Sequence, residues 1–158
     1  MARLQLDAAT RWSDPLMRPE PTRARAADWP ERLAAFIDER RDHGFAWGLQ
    51  DCFTLAADAA VELTGDDPAA AVRGEYATEE EAEAIIGPAG LEAWVAATMA
   101  AWGAAECEPA FAQRGDMVFV AVGNQRMCGV HLGSTVAVPG ADRLHFLPVS
   151  RVLRAWVV

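Results

Sequence analysis

The chain has no lysine, one tyrosine, three cysteines and three histidines in 158 residues. It also lacks any run of about 18 apolar residues, the length a bilayer-spanning helix needs, because Asp, Glu or Arg interrupts each one. Each shortage excludes a class. Three cysteines (Cys52, Cys107 and Cys128) are too few, and odd in number, for a disulfide framework. None belongs to a C-x-x-C pair, and His43, His131 and His145 are scattered, so no metal site is expected. Neither G-x-G-x-x-G nor G-x-x-x-x-G-K occurs, which removes the glycine-rich phosphate cradles, and no cofactor is expected. The net charge of −9 opposes a nucleic-acid partner, whose phosphates require a basic surface. The first residues lack a signal peptide's apolar region. Cytoplasmic synthesis with no membrane partner is the expectation.

What is present fits one globular domain with a true core: 52% hydrophobic residues against 23% charged. The charge is uneven. Residues 1–27 hold five Arg against three acids, +2, which leaves −11 for the remainder. With Pro15, Pro19 and Pro21 and no sustained periodicity, 1–27 read as a flexible N-terminal extension, and 28–158 as the folded domain. Asp28, Pro30 and Glu31 form a capping-box pattern ahead of a helix carrying Leu33, Phe36 and Ile37, stopped by Gly44. A second helix is expected from about Asp51 to Leu63, a third from Thr78, and a fourth from Leu91 to Trp102 between Gly90 and Gly103. Beyond 103 come short β-type runs at 116–120, 127–132, 135–138, 144–147 and 152–158, divided by turn residues. Helices followed by a strand meander predict an α+β fold, with N-terminal helices packed on a C-terminal antiparallel sheet.

The candidate site is the stretch Phe45-Ala46-Trp47-Gly48-Leu49-Gln50-Asp51-Cys52. It sets a cysteine at the first turn of the second helix, where partial positive charge and unpaired N–H groups favour the thiolate. Cys52 is the candidate nucleophile; its plainer reading is a small core residue. Trp47, Gly48 and Asp51 are the candidate binding residues beside it. Asp51 can equally be the helix cap, Trp47 a wedge between helix and sheet, and Gly48 a backbone requirement. Cys107 and Cys128 read as core-filling.

Trp47-Gly48…Asp51-Cys52, followed by Arg114-Gly115-Asp116-Met117-Val118-Phe119, resembles the NlpC-type branch of papain-like cysteine peptidases, which cleave peptidoglycan stem peptides. A closer set also resembles an uncharacterised domain family of phages and prophages, often encoded among tail-assembly genes. That set comprises W-x-x-R-L from Trp29, F-A-W-G-x-x-D-C, A-A-D-A, T-G-x-D-P from Thr64, R-G-x-Y from Arg73, and G-D-x-V. The resemblance spans nearly all of 28–158 and implies an NlpC-type papain-like fold. It also implies partners among phage tail proteins or peptidoglycan peptides, and a place in the virion tail after cytoplasmic synthesis.

The family's base lies on an H-V-G-aromatic strand. Aligning Met127-Cys128-Gly129-Val130-His131-Leu132-Gly133 on that strand puts Met127, which cannot take a proton, at the histidine position. The position that orients the imidazole falls near Ala137 or Val138. His131 shares a face with 127 but sits about 13 Å along the strand, at roughly 3.3 Å per residue. His145 could approach from a neighbouring strand, and His43 is local to Cys52 but precedes it in the chain. Three functions are therefore carried: a structural or assembly component of a tail with an impaired catalytic site; an active cysteine hydrolase of cell-wall peptide or amide bonds, with Cys52 attacking and His131 or His145 as base; and a non-catalytic domain binding a small molecule or peptide.

Overall fold

The structure is a computed structural model and describes residues 17–158. Among the described residues, four α-helices precede a six-stranded antiparallel sheet, the α+β order expected from the sequence. The helices are α1 (Trp29–Arg40), α2 (Cys52–Thr64), α3 (Glu79–Ile86) and α4 (Leu91–Trp102). The strands are β1 (Glu106–Cys107), β2 (Met117–Val122), β3 (Gln125–His131), β4 (Thr135–Pro139), β5 (Leu144–Pro148) and β6 (Val152–Trp156), in spatial order β1-β6-β2-β3-β4-β5.

Helix α2 is the centre of the molecule. Asp51 and Thr54 cap its start reciprocally: Asp51 Oδ1 accepts from the Thr54 N–H, and Thr54 Oγ1 accepts from the Asp51 N–H, each at 2.9 Å. This satisfies two of the donors that a helix start leaves open. Gly65, at φ 75°, closes the other end. Phe53, Leu55, Ala56, Ala57, Ala59, Ala60 and Leu63 are all buried, and the alanines let α1 and the sheet approach from opposite sides. The capping box expected for α1 does not form. Asp28 is not extended (φ −99°, ψ 26°), so its carboxylate cannot reach the helix N–H groups, and it accepts from Arg32 Nε at 2.7 Å instead.

Strand alternation divides the sheet's buried residues into two cores. Met117, Phe119, Cys128, Val130, Ala137 and Trp156 belong to the core built with the helices. Val118, Val120, Val136, Val138, Val152 and Ala155 form the core of the opposite face, against which Met127 packs. The β2–β3 register fixes this assignment, with Val118 opposite Gly129 and Phe119 opposite Cys128. Strand β1 was not expected; at two residues it is too short to show periodicity, and it pairs with the edge of β6.

The extension expected over 1–27 lies outside the described residues as far as 16. Residues 17–27 lie against the domain through their arginines. Arg18 makes a two-pronged pair with Asp116 at 2.5 and 2.9 Å, and Arg25 reaches both Asp116 (3.3 Å) and the Val158 carbonyl (2.7 Å). Arg23 stacks on the Trp102 ring at 3.7 Å. Asp116 is completely buried and also accepts from the backbone N–H groups of Gln113 and Val158, so one carboxylate ties this segment, the start of β2 and the end of the chain.

Candidate functional site

The loop before α2 is shaped by contacts that join separate sequence motifs. Gly48 has φ 75°, and a Cβ there would lie 2.3 Å from the Tyr76 carbonyl oxygen, so only glycine fits. Asp51 Oδ2 accepts from the Gly48 N–H at 2.8 Å and from the Tyr76 hydroxyl at 2.5 Å. Burial and this bond to Asp51 push the Tyr76 hydroxyl well above the usual tyrosine range, so it remains a donor. With Oδ1 on Thr54, the buried Asp51 carboxylate has three donors and organises the loop and helix start. Behind it, Asp58 of α2 pairs with Arg40 (3.0 Å) and Arg73 (2.5 Å), and Arg73 continues to Asp67 (2.9 Å). The A-A-D-A, T-G-x-D-P and R-G-x-Y motifs thus form one polar network that holds the 67–76 loop beside the Cys52 helix.

Cys52 is the first residue of α2 and is half-buried. The side chain facing it from the sheet is Cys128, fully buried in the helix-side core. This corrects the expectation for Met127: that residue packs into the core on the opposite face, and the position facing the cysteine lies one residue later. A one-residue offset in a strand exchanges the faces of every side chain. The two thiols face each other. Hydrogen bonding from the Cys128 side chain lowers the Cys52 thiol against the opposing effect of burial, with backbone N–H groups of Cys128 and Phe53 adding to the lowering. Burial and the neighbouring sulfur raise Cys128 well above the ordinary thiol value. Neither is in a disulfide.

No imidazole joins them. His131 alternates with Cys128, pairs with Val136 of the opposite core, and therefore lies across the sheet from Cys52. It is buried, its Nδ1 accepts from the Gly133 N–H at 3.0 Å, and its surroundings are Asp116 and Arg18. Burial lowers its pKa, so it is held neutral. His145 pairs with Val138, again on the far face, and is exposed, its ring lying over Gly140. His43 is exposed and contributes its backbone carbonyl, which accepts from Gln50 Nε2 at 2.7 Å. Where the papain-like pattern would place a group to orient the base, Ala137 presents a methyl to the helix-side core. Among the described residues no cluster of three metal-ligating side chains occurs, and no single helix is long and apolar enough to cross a membrane.

Beside Cys52 opens a cleft of about 130 Å³, similar in size to a cavity that accepts benzene. Trp47, Tyr76, Ile85, Ile86, Leu91 and Trp94 line it almost entirely with carbon, and Leu49, 73% exposed, lies in the adjoining loop. Trp94 meets Phe53 edge-on at 4.8 Å, and Phe45 meets Trp47 likewise at 4.7 Å, which fixes the walls. The expected binding residues Trp47 and Asp51 do line this cleft, while Gly48 shapes the loop behind it. Sequence reasoning passed over Cys128, read as core-filling, and Tyr76, noted only as a motif letter. Apolar alternation gives no signal for Cys128, because the sheet buries residues on both of its faces.

The molecule is therefore an α+β domain with a helix-start cysteine facing its sheet beside an apolar cleft. Residues 24–158 match a domain family of unknown function, DUF6950, and the chain belongs to that family. No curated protein and no solved structure matches the chain.

Proposed function

We propose that this protein is a non-hydrolytic component of a phage or prophage tail assembly, built on an NlpC-type papain-like fold. Its cleft beside Cys52 takes an apolar side chain of a partner protein. The observation that carries this reading is that Cys128, not an imidazole, faces Cys52, with His131 and His145 both across the sheet. Nucleophilic hydrolysis needs a base within hydrogen-bond reach to take a proton and later return it to the leaving group, and a thiol raised by burial does neither at neutral pH. The cleft supports the binding half of the reading. Its volume suits one branched or aromatic side chain, its lining offers few polar groups, and its walls are fixed by aromatic packing. The place in a tail rests on the motif resemblance.

One observation favours a second reading. The lowered Cys52 thiol at the start of a 13-residue helix is what a cysteine hydrolase of peptidoglycan peptides requires of its nucleophile. The two readings separate in one experiment. The protein and its Cys52→Ala variant are incubated with purified peptidoglycan, and each is co-expressed with tail proteins alongside an Ile86→Arg variant. The proposal predicts no released muropeptides from either protein, partner binding retained in Cys52→Ala and lost in Ile86→Arg. Cleavage by the wild type that disappears in Cys52→Ala overturns it in favour of the hydrolase.

A further inference from the structure

Cys52 and Cys128 come together from different elements, the half-buried Cys52 at a helix start lining a cleft and the fully buried Cys128 in the core behind it. We propose that they form a dithiol redox site in which Cys52 reacts with a hydroperoxide and Cys128 resolves the product into a reversible intramolecular disulfide. The assignment of roles follows from access. Cys52 is half-buried and lines the cleft, whereas Cys128 is fully buried behind it and does not line it. Cys128 sits in the helix-side core against which Cys52 packs, where β3 meets α2, so the second step needs no segment to unfold. The inference does not depend on the tail-component reading, since it concerns the reactivity of the pair and not what fills the cleft.

The chemistry balances with the hydroperoxide as the one added reactant. The Cys52 thiolate attacks the outer peroxide oxygen; the O–O bond breaks, an S–O bond forms, and the alcohol leaves with the proton Cys52 had released. The Cys128 sulfur then attacks the Cys52 sulfur; the S–S bond forms, the S–O bond breaks, and hydroxide leaves as water with the Cys128 proton. Two thiols and one hydroperoxide give a disulfide, an alcohol and water, the peroxide gaining the two electrons the sulfurs lose. The lowered Cys52 thiol supplies the attacking form. Cys107 is an internal control: it is buried near Arg18, and burial pushes its thiol up to about 11.

With no lysine in the chain, trypsin cuts only at arginine and places the three cysteines in separate peptides, 42–73, 74–114 and 127–143. The full-length protein is treated with hydrogen peroxide and digested without reductant. The expected product is 42–73 joined to 127–143, reversed by dithiothreitol, with Cys107 unmodified. In Cys128→Ser the first step stops at Cys52 sulfenic acid, which dimedone labels. The wild-type digest is decisive even if that variant folds poorly. No link between 42–73 and 127–143, or Cys52 driven to sulfinic acid while Cys128 stays reduced, overturns the proposal.

Discussion

The Tyr76 hydroxyl donates to Asp51 Oδ2 at 2.5 Å, and the Tyr76 carbonyl lies where a side chain on Gly48 would begin. The chain's single tyrosine thus holds both the cap of the cysteine helix and the loop in front of it. Tyr76→Phe removes a hydrogen bond to a charged group and is expected to cost about 2 kcal/mol of stability. Asp51→Ala removes the cap and strands two further donors, and is expected to cost more. Urea denaturation of the two variants checks the order.

Gly48 and Gly65 share φ 75° but differ in surroundings. An added methyl at Gly65 meets nothing, so Gly65→Ala bears only the backbone penalty of about 1 kcal/mol. At Gly48 the same methyl strikes the Tyr76 backbone, which cannot swing away as a side chain would. Gly48→Ala is expected to destabilise at least twice as much, and parallel thermal melts of the two variants measure the difference.

Asp116 is a buried carboxylate held by Arg18, Arg25 and two backbone N–H groups. Breaking such a set from one side leaves uncompensated charge, so Asp116→Ala is expected to cost about 3–5 kcal/mol. The double variant Arg18→Ala/Arg25→Ala exposes the same carboxylate and should fall in that range. Replacing Arg32, which is exposed and paired with exposed Asp28, is expected to leave stability nearly unchanged, because solvent screens the pair.

His131 gives a pH dependence with a defined sign. Its pKa is lowered in the folded protein by burial, from an ordinary 6.5. Below that value the unfolded chain binds a proton that the folded protein refuses, so this contribution to stability, complete above 6.5, declines as pH falls towards the folded pKa. Unfolding free energies measured from pH 7 to 5 are expected to fall more steeply in the wild type than in His131→Asn.

Much of this architecture is legible in the residues. The Asp51 cap, the αL glycine at 65, the helix between Gly90 and Gly103 and the strand meander all follow local rules that the structure obeys. The residue facing Cys52 does not. Both faces of the sheet are buried, so Met127 and Cys128 are equally acceptable to an apolar pattern, and alternation alone cannot say which of them turns towards α2. Tyr76 escaped for a different reason: its partner lies 25 residues away, a distance that only the packed loop resolves. Asp28 shows the limit of local rules themselves: the capping-box residues are present, but the backbone angles turn the side chain to Arg32 and no cap forms.

The pH dependence of Cys52 alkylation tests most directly whether a thiol, and no imidazole, governs this sulfur. Iodoacetamide rates at Cys52 are followed peptide by peptide in the wild type, Cys128→Ala, His131→Asn and His145→Asn. Cys128→Ala is predicted to move the Cys52 profile to higher pH, because the first cause of its lowered thiol is removed, and both histidine variants are predicted to leave it in place. A profile that shifts with either histidine and ignores Cys128 would contradict the account.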